Sequence, residues 1–222
     1  MHFLVIGGSG RTGRLVINQI LERRQSVIAL VRDPTAFGER LGLTVVQGTP
    51  TSTSDLEKAF TAIPNGIPSA VIVTLNARRK SDNPFAKPIS PPRFMADCNT
   101  RIRAAMHQHG VRKLVVMSAY GTADSLPAIN WLMRLVLRKT NMVHQYNDHD
   151  AVDKETKTSG LDFVLVRPSM LAGGEAKPVK DWGDQGRGVP MLAKITRASV
   201  ARFLVDAAQK SRWNGQTPVI TN

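Results

Sequence analysis

Seven residues near the start of the chain, Gly7-Gly8-Ser9-Gly10-Arg11-Thr12-Gly13, constrain its fold more than any other stretch. Gly7, Gly10 and Gly13 are spaced G-x-x-G-x-x-G. An apolar run at residues 3–6 precedes them, and an amphipathic segment marked by Leu15, Ile17, Ile20 and Leu21 follows. In a strand–turn–helix unit of this kind, the first glycine lets the chain turn. The second brings backbone close to a pyrophosphate, and the third lets the helix pack tightly. The helix N-terminus adds N–H donors and a positive dipole end. The pattern predicts a dinucleotide phosphate loop, with Gly7, Ser9, Gly10, Arg11, Thr12 and Gly13 binding the cofactor.

The rest of the chain keeps the same rhythm. Apolar runs at 27–31, 44–46, 70–74, 114–117 and 163–166 are Val/Ile-rich and nearly continuous, as strands covered on both faces must be. Helical patterns lie between them at 55–63 (capped by Ser54), 93–109, 143–159 and 199–210, and residues 218–221 suit an edge strand. This βαβα order predicts an α/β fold: a Rossmann-type, doubly wound parallel sheet. At 222 residues, the expectation is one domain over 1–222 with a helical insertion at about 123–145. That insertion and the proline-rich segment 76–92 both follow strand ends, where open α/β sheets bind ligands. Plain surface loops would also account for them.

Thirty Lys and Arg against seventeen Asp and Glu give a net charge of +13, a field that attracts phosphates and other anions. One cysteine, Cys98, excludes an internal disulfide and a multi-cysteine metal site, and fits a reducing, cytoplasmic setting. His107 and His109 are i, i+2 and imply no metal pair. No metal is expected. No targeting segment is visible, and no run reaches the ~18 apolar residues of a membrane span, so no membrane partner is expected. Arg78-Arg79-Lys80 without interleaved aromatics suits solvated surface, and no nucleic-acid partner is expected. Gly8-Ser9-Gly10 lacks the spacing of a hydrolase nucleophile elbow. A monomer and a homodimer both remain open.

The second strand ends Leu30-Val31-Arg32-Asp33-Pro34. NAD binders usually hold the ribose 2′-hydroxyl there with an acid. Arg32 in that place suits the 2′-phosphate of NADP(H), with Arg11 able to join it. The alternative is that Asp33 does the acid's work.

Several segments now combine with the glycine loop: Val31-Arg32-Asp33-Pro34, Met117-Ser118-Ala119-Tyr120-Gly121, Asp148-His149-Asp150-Ala151-Val152, Ser159-Gly160-Leu161-Asp162-Phe163, Val166-Arg167-Pro168 and Thr196-Arg197-Ala198-Ser199-Val200-Ala201. Together they resemble the atypical short-chain dehydrogenase/reductase superfamily over nearly the whole chain. Within it they are similar to the NmrA-like NAD(P)-binding group that includes biliverdin-IXβ/flavin reductase, and most of all to fungal oxidoreductase-like members. The superfamily's Tyr-x-x-x-Lys engine is absent. Gln145 stands at the tyrosine position, His149 at the lysine position, and Tyr146 is one residue off. Thr49 replaces an acid that commonly follows the third strand.

The resemblance implies a catalytic set of Ser118, Tyr120 and His149. Ser118 would orient a carboxamide or carbonyl, Tyr120 would donate a proton or stack, and His149 would orient or protonate. Ser118 as a simple strand end and His149 as a satisfied core group are the bland alternatives. Tyr146 and His149 are i, i+3 and share a helix face. Leu75, Asn76, Ser118 and Pro168 would line the cofactor, and Trp131, Leu132 and Leu135 would wall the acceptor site. The implied activity is hydride transfer from NADPH to a conjugated small molecule: a flavin, quinone, tetrapyrrole or polyketide-derived enone. A redox-silent NADP-binding sensor, or an isomerase or cyclase on the same fold, stands as the alternative.

Overall fold

The computed structural model describes residues 1–222 except Pro64, Asn65 and Asp82. The predicted strands form as β1 (His2–Ile6), β2 (Ser26–Val31), β3 (Leu43–Gln47), β4 (Ala70–Val73), β5 (Lys113–Met117) and β6 (Asp162–Pro168). They lie parallel in the order β3-β2-β1-β4-β5-β6. The chain reverses direction across the sheet at β1, which pairs with both β2 and β4. Open sheets bind their ligands at that reversal, beyond the carboxyl ends of the strands.

Six helices cover the sheet: α1 (Arg11–Glu22), α2 (Thr53–Phe60), α3 (Phe94–Gln108), α4 (Trp131–Lys139), α5 (Met142–Lys157) and α6 (Arg197–Gln209). Side-chain alternation along β1 sorts the core. Phe3 and Val5 pack with Val16, Ile17 and Leu204 of α1 and α6. Leu4 and Ile6 pack with Leu56, Phe60, Met95 and Ile102 of α2 and α3. Each such fully buried aliphatic side chain stabilises the fold by roughly 1.5–3 kcal/mol. That two-sided burial is why the strands read as continuous apolar runs.

Three expectations need correction. Ser52, not Ser54, caps α2: its Oγ accepts the Asp55 N–H, which puts an acid in the first turn. Residues 218–221 form no edge strand. β10 (Val219–Thr221) pairs parallel with β6 on one side and antiparallel with the two-residue β8 (Lys180–Asp181) on the other. The insertion is a 3-10 turn at Ala123–Ala128 followed by α4, and residues from 142 onward already belong to α5. A second small sheet of β7 (Met170–Ala172) and β9 (Lys194–Thr196) was not anticipated. No helix among the described residues is long and apolar enough to cross a membrane. No cluster of potential metal ligands occurs among them.

Candidate functional site

The phosphate loop is shaped by its own packing. Gly7 has φ +85°, a left-handed conformation that costs glycine little, and a side chain there would meet Thr74 at 3.0 Å. A Cβ on Gly13 would lie 2.2 Å from the Gly7 carbonyl oxygen. Thr74 completes the turn by donating its hydroxyl toward the carbonyls of Ile6 and Gly7. Gly10 differs. Its backbone suits any residue, φ −71° and ψ 164°, and its Cβ would meet only the Gly7 carbonyl, at 3.2 Å. Nothing inside the fold requires glycine there, but a pyrophosphate approaching the backbone would. Gly10 also caps α1 without a side-chain hydrogen bond, which leaves that helix end to a ligand.

At the nucleoside end, exposed Arg32 follows β2. The Asp33 carboxylate is turned into its own loop, where it accepts both the backbone N–H and the hydroxyl of Thr35. Those bonds hold its pKa below the ordinary value. Both bonds fall on one carboxylate oxygen, Oδ1. Beyond β3, Asp55 lies against Gly48 and accepts the Thr49 N–H, so an acid from α2 fills the space beside Thr49.

The main cleft, about 630 Å³, opens beyond the carboxyl ends of β4, β5 and β6, within the range of small-molecule sites. Its lining includes Ser118, Tyr120, His149, Leu75, Asn76, Pro168 and Arg11, and does not include Gly7, Ser9, Gly10, Thr12, Gly13 or Arg32. The Ser118 and Ser169 hydroxyls are buried in its floor with no hydrogen-bond partner. Two orphaned hydroxyls among the lining of one cleft suit a ligand that accepts or donates there, such as a carboxamide. Burial lowers the His149 pKa to about 4, so its imidazole is uncharged near neutrality. Tyr146 meets it edge-on, with ring centroids 6.4 Å apart. Burial raises the Tyr146 pKa to about 12.

Two expectations about side chains change. The Tyr120 hydroxyl donates to the Gly186 carbonyl at 3.2 Å, and its ring packs on Gly186, so Tyr120 holds the loop after β8 and has little freedom to donate a proton. Trp131, Leu132 and Leu135 do not wall the cleft. They are 69, 51 and 46% exposed, while Ile129, Met133 and Leu137 line it. The Asn130 side chain accepts the Leu132 N–H and so sets where α4 begins; α4 is apolar on more than one side, so its pattern alone could not show which face turns inward. Arg79, Arg197 and residues 189–191 also line the cleft and were missed. The loop residues lack periodicity, and Arg79 sits in a run that reads as surface.

Buried polar groups hold this site in place. The Asp148 carboxylate caps α3 across the fold, accepting the N–H groups of Met95 and Ala96 at 2.8 and 2.9 Å. Arg167 is fully buried, pairs with Asp153 of α5 and donates to the Asp184 carbonyl. These bonds fix α5, and with it His149, against β6. His109 stacks on Phe60 and pairs with Glu57, a structural role. Burial pushes the Cys98 thiol up to about 11, which makes it unreactive.

A loop that admits phosphate at a helix end and a cleft beyond β4–β6 define a nucleotide-binding Rossmann protein. The family model described as NAD(P)H-binding matches residues 7–211, and the chain belongs to that family. Its fold is similar to that of ChuY, an anaerobilin reductase from Escherichia coli, at 17% identity and a TM-score of 0.78 over 100% of this chain and 97% of that one. A short-chain dehydrogenase/reductase from Veillonella parvula, solved in complex with NADP, gives 12% identity and a TM-score of 0.78 over 100% and 94%. An oxidoreductase from Lactococcus lactis gives 15% identity and 0.74 over 100% and 91%. At these identities the likeness is one of fold.

Proposed function

We propose that this protein is an NADPH-dependent reductase that delivers hydride to a flat, conjugated small molecule, of the kind handled by the biliverdin/flavin reductase branch. The observation that carries the proposal is one cleft lined both by Ser118 and Ser169, whose hydroxyls are buried without a partner, and by apolar Ile129, Met133 and Leu137. The fit of the dinucleotide rests on Gly10, whose missing side chain serves no internal contact beyond the Gly7 carbonyl. The backbone at Gly10 and the start of α1 would hold the pyrophosphate, and Arg32 the 2′-phosphate. The nicotinamide supplies the hydride.

The remaining chemistry belongs to side chains of the cleft. Ser118 donates its hydroxyl proton in a hydrogen bond to the acceptor oxygen where charge develops. Neutral His149 cannot act as a cationic acid near pH 7, so it orients the acceptor. Tyr146 keeps its proton, and its hydroxyl donates to the Tyr120 carbonyl at 3.4 Å, a long bond that an acceptor oxygen can replace. The apolar wall holds the acceptor plane against the donor and excludes water. The reduced acceptor then takes its proton from solvent. A panel of flavins, quinones and linear tetrapyrroles tests the proposal. NADPH consumption with at least one of them is expected. Tight NADPH binding with no consumption by any would favour a redox-silent protein.

A further inference from the structure

We infer that the acceptor carries an anionic arm, and that Arg79 and Arg78 receive it in a second cavity opening off the cleft. This rests on the reductase proposal above for the identity of the ligand, but not for the existence of the cavity. Among its described residues the main cleft is lined by three arginines, Arg11, Arg79 and Arg197, and by no Asp or Glu. Arg11 begins α1 and Arg197 begins α6, helices that pack against each other on the phosphate-loop side. Arg79 comes from the loop after β4 and stands apart from them.

Arg79 and Gln145 also line the second cavity, of about 400 Å³, so they stand between the two. Gln145 donates to Asn76 at that partition. Arg78, Arg93, His144 and Asp148 are further residues of the second cavity. Two of these charges are already committed. Asp148 caps α3, and Arg93 pairs with Glu155 and Asp97. Arg79, shared by the two cavities, and Arg78, in the second, are the remaining guanidinium groups there.

The backbone presents them firmly. Arg79 bridges Pro88, Lys80 N–H bonds the Lys87 carbonyl, and the N–H groups of Ile89 and Ser90 bond the Arg78 carbonyl. Arg79 Nη1 donates to the Asn83 carbonyl at 2.9 Å, which fixes one side of the fork. Arg79 lines the main cleft together with Tyr146, and its charge opposes the rise that burial gives the Tyr146 pKa. A half-buried, pre-oriented guanidinium in a cleft without carboxylates suits an anionic oxygen group, bound by charge-assisted hydrogen bonds.

A matched ligand pair tests this: anthraquinone-2-carboxylate and its neutral carboxamide, titrated onto the protein saturated with NADP+. The carboxylate should bind about tenfold more tightly or better, the scale of one charge-assisted contact. Arg79→Gln should bring its Kd to that of the amide while leaving the amide and NADP+ affinities unchanged, and Arg78→Gln should have a smaller effect in the same direction. Equal affinities in the parent protein, failure of both ligands to bind, or an acid preference that survives the Arg78→Gln/Arg79→Gln double variant would each overturn the inference. Following NADPH consumption with the same pair separates the two proposals. Acid preference with no NADPH consumption by this pair or by any acceptor of the panel leaves this inference standing and removes the reductase. Turnover without acid preference does the reverse.

Discussion

His149 shows how one buried side chain links stability to the site. In the folded chain it takes up a proton only near pH 4, against 6.5 for an unperturbed imidazole, because burial penalises its charged form. Between those values the unfolded chain binds more protons, so stability is full above about pH 6.5 and falls as pH drops toward 4. The shift corresponds to about 3 kcal/mol at most. Denaturant unfolding at neutral and mildly acidic pH should show that loss, and His149→Gln should flatten the curve. An identical slope in the variant would mean that His149 is not the group responsible. Arg32 makes the other prediction at this scale. Arg32, exposed just after β2, is the cation placed to read a 2′-phosphate. Calorimetry should show NADPH binding about tenfold more tightly than NADH, and Arg32→Ala erasing most of that margin. Equal affinities in the parent chain would leave the 2′-phosphate without its reader.

Among the elements, the glycine loop divides into residues the fold needs and a residue the ligand needs. Gly13→Ala would force a Cβ to 2.2 Å from the Gly7 carbonyl and should destabilise the protein by about 1–3 kcal/mol. Gly10→Val should lower the melting temperature less than Gly13→Ala does and abolish NADPH binding. Thermal melts paired with binding measurements separate the two, and a Gly10→Val protein that still binds NADPH would contradict the loop's role. This division was only half legible in the sequence. The spacing of Gly7, Gly10 and Gly13 identifies the loop, but the crowding at Gly7 comes from Thr74, 61 residues beyond Gly13, and that at Gly13 from how the loop folds back on the Gly7 carbonyl. The α4 segment was legible as a helix but not in its facing, because Trp131, Leu132 and Leu135 are as apolar as the Ile129, Met133 and Leu137 that turn inward. Strands of two or three residues, such as β7, β8 and β9, carry too short a pattern to read. Tertiary pairing makes them.

For the whole molecule, the sheet order brings residues from distant parts of the chain to one edge. Ser118 leaves β5, Pro168 ends β6, Asn76 follows β4 and His149 lies on α5, which Asp148 and Asp153 tie to α3 and β6. The strand pattern made this convergence legible, since parallel strands put all their carboxyl ends on one side. The second cavity and Arg79 were not legible, because a basic run in a proline-rich loop has no periodicity to show which arginine turns inward. The account depends most on Ser118 acting in hydride transfer and not in cofactor binding. The direct test is the rate of NADPH oxidation by the parent protein and by Ser118→Ala, with the best acceptor at saturation and the NADPH Kd measured alongside. Loss of one hydrogen-bond donor to developing charge should lower turnover about a hundredfold, with the Kd nearly unchanged. Unaltered turnover in the variant, or no NADPH oxidation by the parent protein with any acceptor, would contradict the account.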